Sequence, residues 1–192
     1  MRRTWARWLV LGSIALIATF AGMGAVGEAA AADCGTGAPA KRLNLRLSDF
    51  PRGASLIEAS SDGGVTKSGV RGTSYKVRVL YSLGAGQAVV TSLVGVTDCV
   101  AQARRLFAPF RKDSAVTGQT VTKLRLPRLG DDQVAQFWVG ESNGEASAML
   151  VVRSRNVVWM LGIIGRPELT RHRAIAELSK YGAKIASRVN SR

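Results

Sequence analysis

A chain of 192 residues with 46% hydrophobic content has the length for one domain around one core. Two cysteines and a single histidine exclude a zinc site for practical purposes and leave one imidazole for any nucleophilic mechanism. A formal charge of +14 points to anionic partners or to a solvated surface that keeps the protein soluble.

The chain begins with MRRTWARW, which carries three arginines, followed by the apolar run LVLGSIALIATF and the small residues of AGMGAVGEAAAAD. This three-part layout predicts a signal peptide over residues 1–32, and with it export to a secreted or cell-envelope location. The stretch Trp8–Gly27 is uncharged for 20 residues, enough to span a bilayer, so an uncleaved anchor is the competing reading. Ala6 stands where a twin-arginine signal wants a second large apolar residue. Asp33 in front of Cys34 argues against lipid attachment there. Beyond Ala32 the chain holds 24 basic and 12 acidic residues. An exported protein of that charge meets anionic lipid headgroups or cell-wall polymer before nucleic acid, and no nucleic-acid partner is expected.

Residues 33–42 (DCGTGAPAKR) read as a tether, and 43–192 as a single domain. Cys34 and Cys99 are the only cysteines, and in an oxidising compartment they are expected to pair; two separately buried thiols are the alternative. Leu43, Leu45 and Leu47 alternate as in a strand before the turn Ser48–Gly53. The polar segment SSDGGVTKSGVRGTS, with four glycines, reads as a mobile loop. TSYKVRVLYSL and QAVVTSLVGV then read as strands joined at Gly84-Ala85-Gly86.

Thr97-Asp98 is expected to cap a helix over 98–112 whose inward stripe is Cys99, Ala103, Leu106, Phe107 and Phe110. Arg104, Arg105, Arg111 and Lys112 fall largely outside that stripe. TVTKLRL, QVAQFWVGE and EASAMLVVRS follow as strands, the last two joined at Asn143-Gly144. Arg155-Asn156 turns the chain into VVWMLGIIG. Residues 148–152 and 157–164 are apolar except at Gly162, which places them at the centre of a sheet covered on both faces. Pro167 and Glu168 suit the first turn of a closing helix of about 22 residues that carries Arg171, Arg173, Lys180, Lys184 and Arg188. The order β-β-β-α-β-β-β-α predicts an α+β fold, a mostly antiparallel sheet packed against two helices.

Three short motifs stand out: Leu47-Ser48-Asp49-Phe50-Pro51-Arg52-Gly53, Leu129-Gly130-Asp131-Asp132 and Arg153-Ser154-Arg155-Asn156-Val157-Val158. With their intervening helix and strands they resemble secreted sensor-type domains of actinobacteria and related bacteria, including extracellular domains of some receptor kinases and small lipoproteins. The resemblance covers most of residues 43–190 and implies this fold together with a ligand-binding or sensory role. It carries over no ligand residues, and this chain lacks a kinase domain.

The adjacent carboxylates Asp131 and Asp132 have two readings. Between Pro127 and a strand, aspartates cap a turn through their own side chains. As a functional pair they would serve a hydrolase or transferase, with Arg128, Gln133 and Glu141 as the neighbours to expect in a pocket. His172, in the basic run Thr170-Arg171-His172-Arg173, reads as a surface position. Gly84–Val89 lacks the last glycine of a dinucleotide fingerprint and the helix that should follow. Phe137 and Trp138 must point to opposite faces of their strand, so the sheet needs a second cover. Either the N-terminal region or the other helix supplies it, or Trp138 and Trp159 line an apolar pocket left partly open.

The sequence therefore reads as an exported, non-enzymatic binding or sensor-like module, with no metal, no cofactor and an unspecified ligand. Its two helices, packed on one sheet, are expected to present their cations as one broad positive face to anionic lipid or wall polymer.

Overall fold

The computed structural model describes residues 40–65, 69–111, 119–140, 145–166 and 169–191. The signal segment, Cys34, Lys112, Glu141, Asn143-Gly144 and Pro167-Glu168 lie outside them. Among the described residues, seven antiparallel strands form one sheet: β1 (Ser55–Val65), β2 (Arg71–Leu83), β3 (Gly86–Thr97), β4 (Gln119–Lys123), β5 (Asp132–Gly140), β6 (Ala146–Ser154) and β7 (Val157–Arg166). Their order across the sheet is β1-β2-β3-β7-β6-β5-β4, which puts β7 and its apolar neighbours β3 and β6 at the centre. Helices α1 (Ala40–Leu43), α2 (Val100–Phe107) and α3 (Arg171–Asn190) complete the α+β architecture.

The period-two alternation divides the interior in two. One face of the sheet carries Val79, Val94, Leu150, Trp159 and Leu161, packed under Leu178, Tyr181 and Ile185 of α3 and under Leu43 and Leu45. The other face carries Met149, Val151, Val158 and Met160 under Ala103 and Phe107 of α2. Both faces are covered, as the unbroken apolar runs of β6 and β7 require.

Tight turns set the register. Leu83 pairs with Gly86 across Gly84-Ala85, and Gly84 adopts φ +62°, the first position of a primed two-residue turn, open to glycine at no steric cost. Ser154 pairs with Val157 across Arg155-Asn156, where Arg155 takes the same left-handed conformation at φ +53° despite its side chain.

Several expectations change. Four strands rather than three lie between α2 and α3. The Leu43–Leu47 segment is not a strand: it opens with α1, passes through buried Asn44 and Leu45 and ends in a 3-10 turn over Leu47–Asp49. Ala40 is buried, so the fold takes in residues assigned to the tether. The first strand instead runs from Ser55 into the glycine-rich polar segment, and β1 pairs with β2 from Ser55 opposite Leu80 to Val65 opposite Arg71. Helix α2 starts one residue later than the Thr97-Asp98 cap implied, with Cys99 at the N-cap position and no side-chain cap bond. Helix α3 has a true cap, since Thr170 Oγ1 accepts a hydrogen bond from the Arg173 N–H at 3.3 Å.

Candidate functional site

Arg153 is the centre of the acidic pair's surroundings. It stands on β6 directly opposite Asp132 of β5, and only 7% of its side chain is exposed. A guanidinium so placed must have its donors matched, or its burial would cost several kcal/mol, of the order of 3 to 5. Its Nε donates to Asp132 Oδ2 at 2.7 Å, its Nη1 donates to Asp131 Oδ2 at 3.0 Å, and Nη2 lies 2.6 Å from Asp132 Oδ2. Arg111, from the 3-10 turn after α2, donates to Asp132 Oδ1 at 2.7 Å. Burial by itself would raise the Asp132 pKa, but the hydrogen bonds from Arg153 and Arg111 outweigh it and hold the carboxyl below its usual range.

Asp131 also fixes the neighbouring hairpin. Its Oδ2 accepts the Arg155 N–H at 2.8 Å, and Arg153 Nη1 reaches the Arg155 carbonyl at 3.3 Å. Asn156 Nδ2 donates to the Thr97 carbonyl at 2.8 Å, while the Thr97 N–H and hydroxyl both donate to the Asn156 carbonyl at 2.9 Å. These bonds explain why a non-glycine residue keeps a left-handed backbone at Arg155. Gly130 is required for a different reason. A Cβ there would stand 2.6 Å from the Arg153 carbonyl oxygen and 2.5 Å from both Ser154 Oγ and Val152 Cγ1. The Leu129–Asp132 and Arg153–Val158 motifs are thus two halves of one clamp.

The companions expected of a functional carboxylate pair are engaged elsewhere. Arg128 donates to the Gly130 and Asp131 carbonyls, and the Gln133 amide bonds the main chain at Leu126, Pro127 and Leu129. Asp131 is half exposed at this turn. The expected capping of their own turn is not what the two aspartate side chains do: Asp131 bonds the Arg155 N–H of the neighbouring hairpin, and Asp132, the first residue of β5, bonds Arg153 and Arg111.

The Leu47–Gly53 motif builds a second polar junction. Asp49 accepts from Arg188 of α3 at 2.8 and 2.9 Å and from the Arg46 N–H at 2.7 Å. Burial would raise its pKa, yet the bonds from Arg188 and Arg46 bring it below the ordinary value. Fully buried Asn44 donates from Nδ2 to the Tyr75 and Ser92 carbonyls and accepts from the Leu45 N–H and the Ser92 hydroxyl. Phe50 stacks between Tyr81 and Tyr181, at centroid distances of 5.9 and 4.6 Å. Tyr81 donates to Glu177 Oε2 at 2.8 Å; burial first, and Glu177 second, push its pKa upward.

Trp159 is fully buried beside Val94 and Val152, whereas Trp138 packs toward Met149, Val151 and Phe107 on the opposite face. The two tryptophans therefore do not line one pocket; strand parity separates them, and α2 is the second cover. The same separation overturns the single positive face. Helices α2 and α3 lie on opposite faces, so Arg104, Arg105 and Arg111 point away from Arg171, Arg173, Lys180, Lys184 and Arg188. Arg111 and Arg188 are moreover tied to Asp132 and Asp49. His172 is exposed at the start of α3. Cys99 is half-buried, and its expected partner Cys34 lies outside the described residues. Among the described residues no group of acidic, histidine or cysteine side chains has the arrangement of a metal site. No helix among them is long and apolar enough to cross a membrane.

No protein-family model and no curated protein matches the chain. Among solved structures, the extracellular domain of PknH from Mycobacterium tuberculosis superimposes with a TM-score of 0.57. The match covers 81% of this chain and 98% of that one at 13% sequence identity. The two share a fold. At that identity the likeness speaks to architecture alone, and it agrees with the sensor-type fold that the three motifs imply.

Sequence reasoning named Asp131 and Asp132 but missed Arg153, Asn44, Asp49 and Arg188 as the groups that organise the polar junctions. Arg153 carried a signal in hindsight: a lone cation in the apolar run of a central strand needs a carboxylate beside it. Asn44, between two buried leucines, carried the same kind of signal.

Proposed function

We propose that the chain is an exported, extracytoplasmic binding or sensor-like module that performs no covalent chemistry. The observation that carries this reading is the engagement of both adjacent carboxylates by one buried arginine, Arg153. A carboxylate held below its usual pKa by two guanidinium groups is a poor proton donor and a weak base. The shared fold with an extracellular domain supports the extracytoplasmic location, as does the three-part layout of residues 1–32.

Intact-mass measurement on protein recovered outside the cytoplasm tests the location: loss of roughly the first 30 residues is expected for a cleaved signal. Full-length chain extracted from the membrane would establish the anchor instead, and chain found only in the cytoplasm would defeat the reading. Native mass spectrometry of the same material tests the binding role through any ligand that copurifies. The competing hydrolase or transferase reading requires that Asp131→Asn or Asp132→Asn abolish a turnover that the wild-type chain shows. The Cys34–Cys99 bridge remains part of the proposal; non-reducing peptide mapping should yield the crosslinked peptide, and two alkylatable thiols in envelope-derived protein would exclude it.

A further inference from the structure

We propose that the layer made by residues 40–53 and helix α3 is the surface through which the protein lies against anionic lipid headgroups. Residues 40–53 contain four cations and one carboxylate, and the described segment 169–191 contains five cations and one carboxylate. Both carboxylates are turned inward: Asp49 and Glu177 are 9% and 15% exposed, Asp49 is bonded to Arg188, and Glu177 accepts from Tyr81. Six cations stay exposed, namely Lys41, Arg42, Arg46, Arg52, Arg171 and Lys180, with no exposed carboxylate among the described residues of either segment. The two segments form one layer, because Phe50 stacks on Tyr181 and Arg188 bonds the Asn44 carbonyl.

The opposite face differs in sign balance. Arg104 and Arg105 are exposed there, but Arg111 and Arg153 are balanced by Asp132 and Asp131. The layer's positive charge is therefore a property of one side of the molecule and not of its total charge. Anionic headgroups are its occupant by charge complementarity: a bilayer presents its negative charge as an extended surface, which matches cations spread over a whole layer of the fold.

The inference does not depend on the sensor-like reading, since it holds whether or not the domain takes a small ligand. Cosedimentation of the purified protein with vesicles of phosphatidylglycerol and phosphatidylcholine, and with phosphatidylcholine alone, across a salt series tests it. Each cation near an anionic surface contributes about a factor of five to ten, so Lys41→Gln/Arg42→Gln/Arg46→Gln should weaken binding on the order of 100-fold. Arg52→Gln/Arg171→Gln/Lys180→Gln repeats the test on side chains outside the Asn44 junction, and unchanged urea midpoints confirm folding. Arg104→Gln/Arg105→Gln, with two charges removed on the far side, should change binding by less than about threefold, since a Debye length of about 8 Å screens that face. Loss in the control pair as large as in the two triple variants would overturn the proposal. So would equal binding to neutral vesicles, or binding to a soluble glycerol-phosphate polymer with none to vesicles.

Discussion

Replacing Asp49 by Asn isolates the charge that pins the N-terminal segment to α3. The carboxylate is 9% exposed and accepts two bonds from Arg188, at 2.8 and 2.9 Å, and one from the Arg46 N–H, at 2.7 Å, with Lys184 Nζ 3.6 Å away. Asparagine keeps the volume and one acceptor oxygen but loses the charge. A hydrogen bond to a charged group contributes about 1.5 to 3 kcal/mol. Two such bonds are weakened, while Arg188, 24% exposed and still bonded to the Asn44 carbonyl, recovers part of the loss from water. The net destabilisation is expected to be about 2 kcal/mol near neutral pH. Because the folded pKa of Asp49 is below the unfolded value, its contribution is present above about pH 4 and is lost as pH falls toward the folded pKa. The gap between wild type and Asp49→Asn should therefore be constant at neutral pH and close in acid. Urea unfolding followed by tryptophan fluorescence measures it, with Trp159 buried in the core that α3 covers. A loss below about 0.5 kcal/mol, the level of an exposed pair, or a gap that persists unchanged in strong acid, would refute the reasoning.

Other outcomes follow from the same junctions. Gly130→Ala should cost about 3 kcal/mol or prevent folding, because the added Cβ meets a backbone oxygen at 2.6 Å, whereas Gly182→Ala should cost about 1 kcal/mol, since its nearest obstacle, at 2.8 Å, is the flexible end of Leu129. Chemical denaturation of both variants ranks them, and the reverse order would contradict the packing. Asn44→Leu should destabilise by about 3 kcal/mol by orphaning the groups that Asn44 now satisfies, with faster hydrogen exchange at residues 40–50 as the local readout. Arg155→Gly should be neutral or stabilise by up to about 1 kcal/mol by relieving the left-handed backbone, and a loss beyond about 1 kcal/mol would show that the Arg155 side chain supports the turn.

The parts of the fold legible in the sequence were those where burial leaves a pattern, either a contrast between two faces or an unbroken apolar run. Strands β2 and β5 alternate or change face, β6 and β7 are apolar throughout because both faces are covered, and α3 shows its inward stripe of Leu178, Tyr181 and Ile185. Strand β1 was not legible because it is exposed on both sides: Ser60, Ser61, Asp62 and Gly63 show no contrast, and backbone pairing with β2 makes the strand. The alternating leucines at 43, 45 and 47 suggested a strand, but Leu47 is 44% exposed and Asn44 between them is fully buried, so the period does not mark two faces of a sheet. Amphipathic stripes on α2 and α3 state that each helix covers the sheet without stating which face. That missing bit of topology is what made one positive face look reasonable. The acidic pair was legible as lying where the chain turns into β5; its partner was not, because Arg153 lies 21 residues beyond Asp132 and only the β5–β6 register brings them together.

The stability of the double variant Asp131→Asn/Asp132→Asn tests the central claim most directly. Residues kept for chemistry or ligand capture are commonly neutral or stabilising when replaced, because function holds them at a cost to the fold. A clamp on a buried guanidinium behaves in the opposite way. If these carboxylates exist to hold Arg153 and the Arg155-Asn156 turn, urea unfolding should show a loss of about 3 to 5 kcal/mol, and combining the variant with Arg153→Met should add much less than the Arg153→Met effect alone. A double variant as stable as the wild type, or more so, would contradict the structural reading and return the pair to candidacy as a functional site.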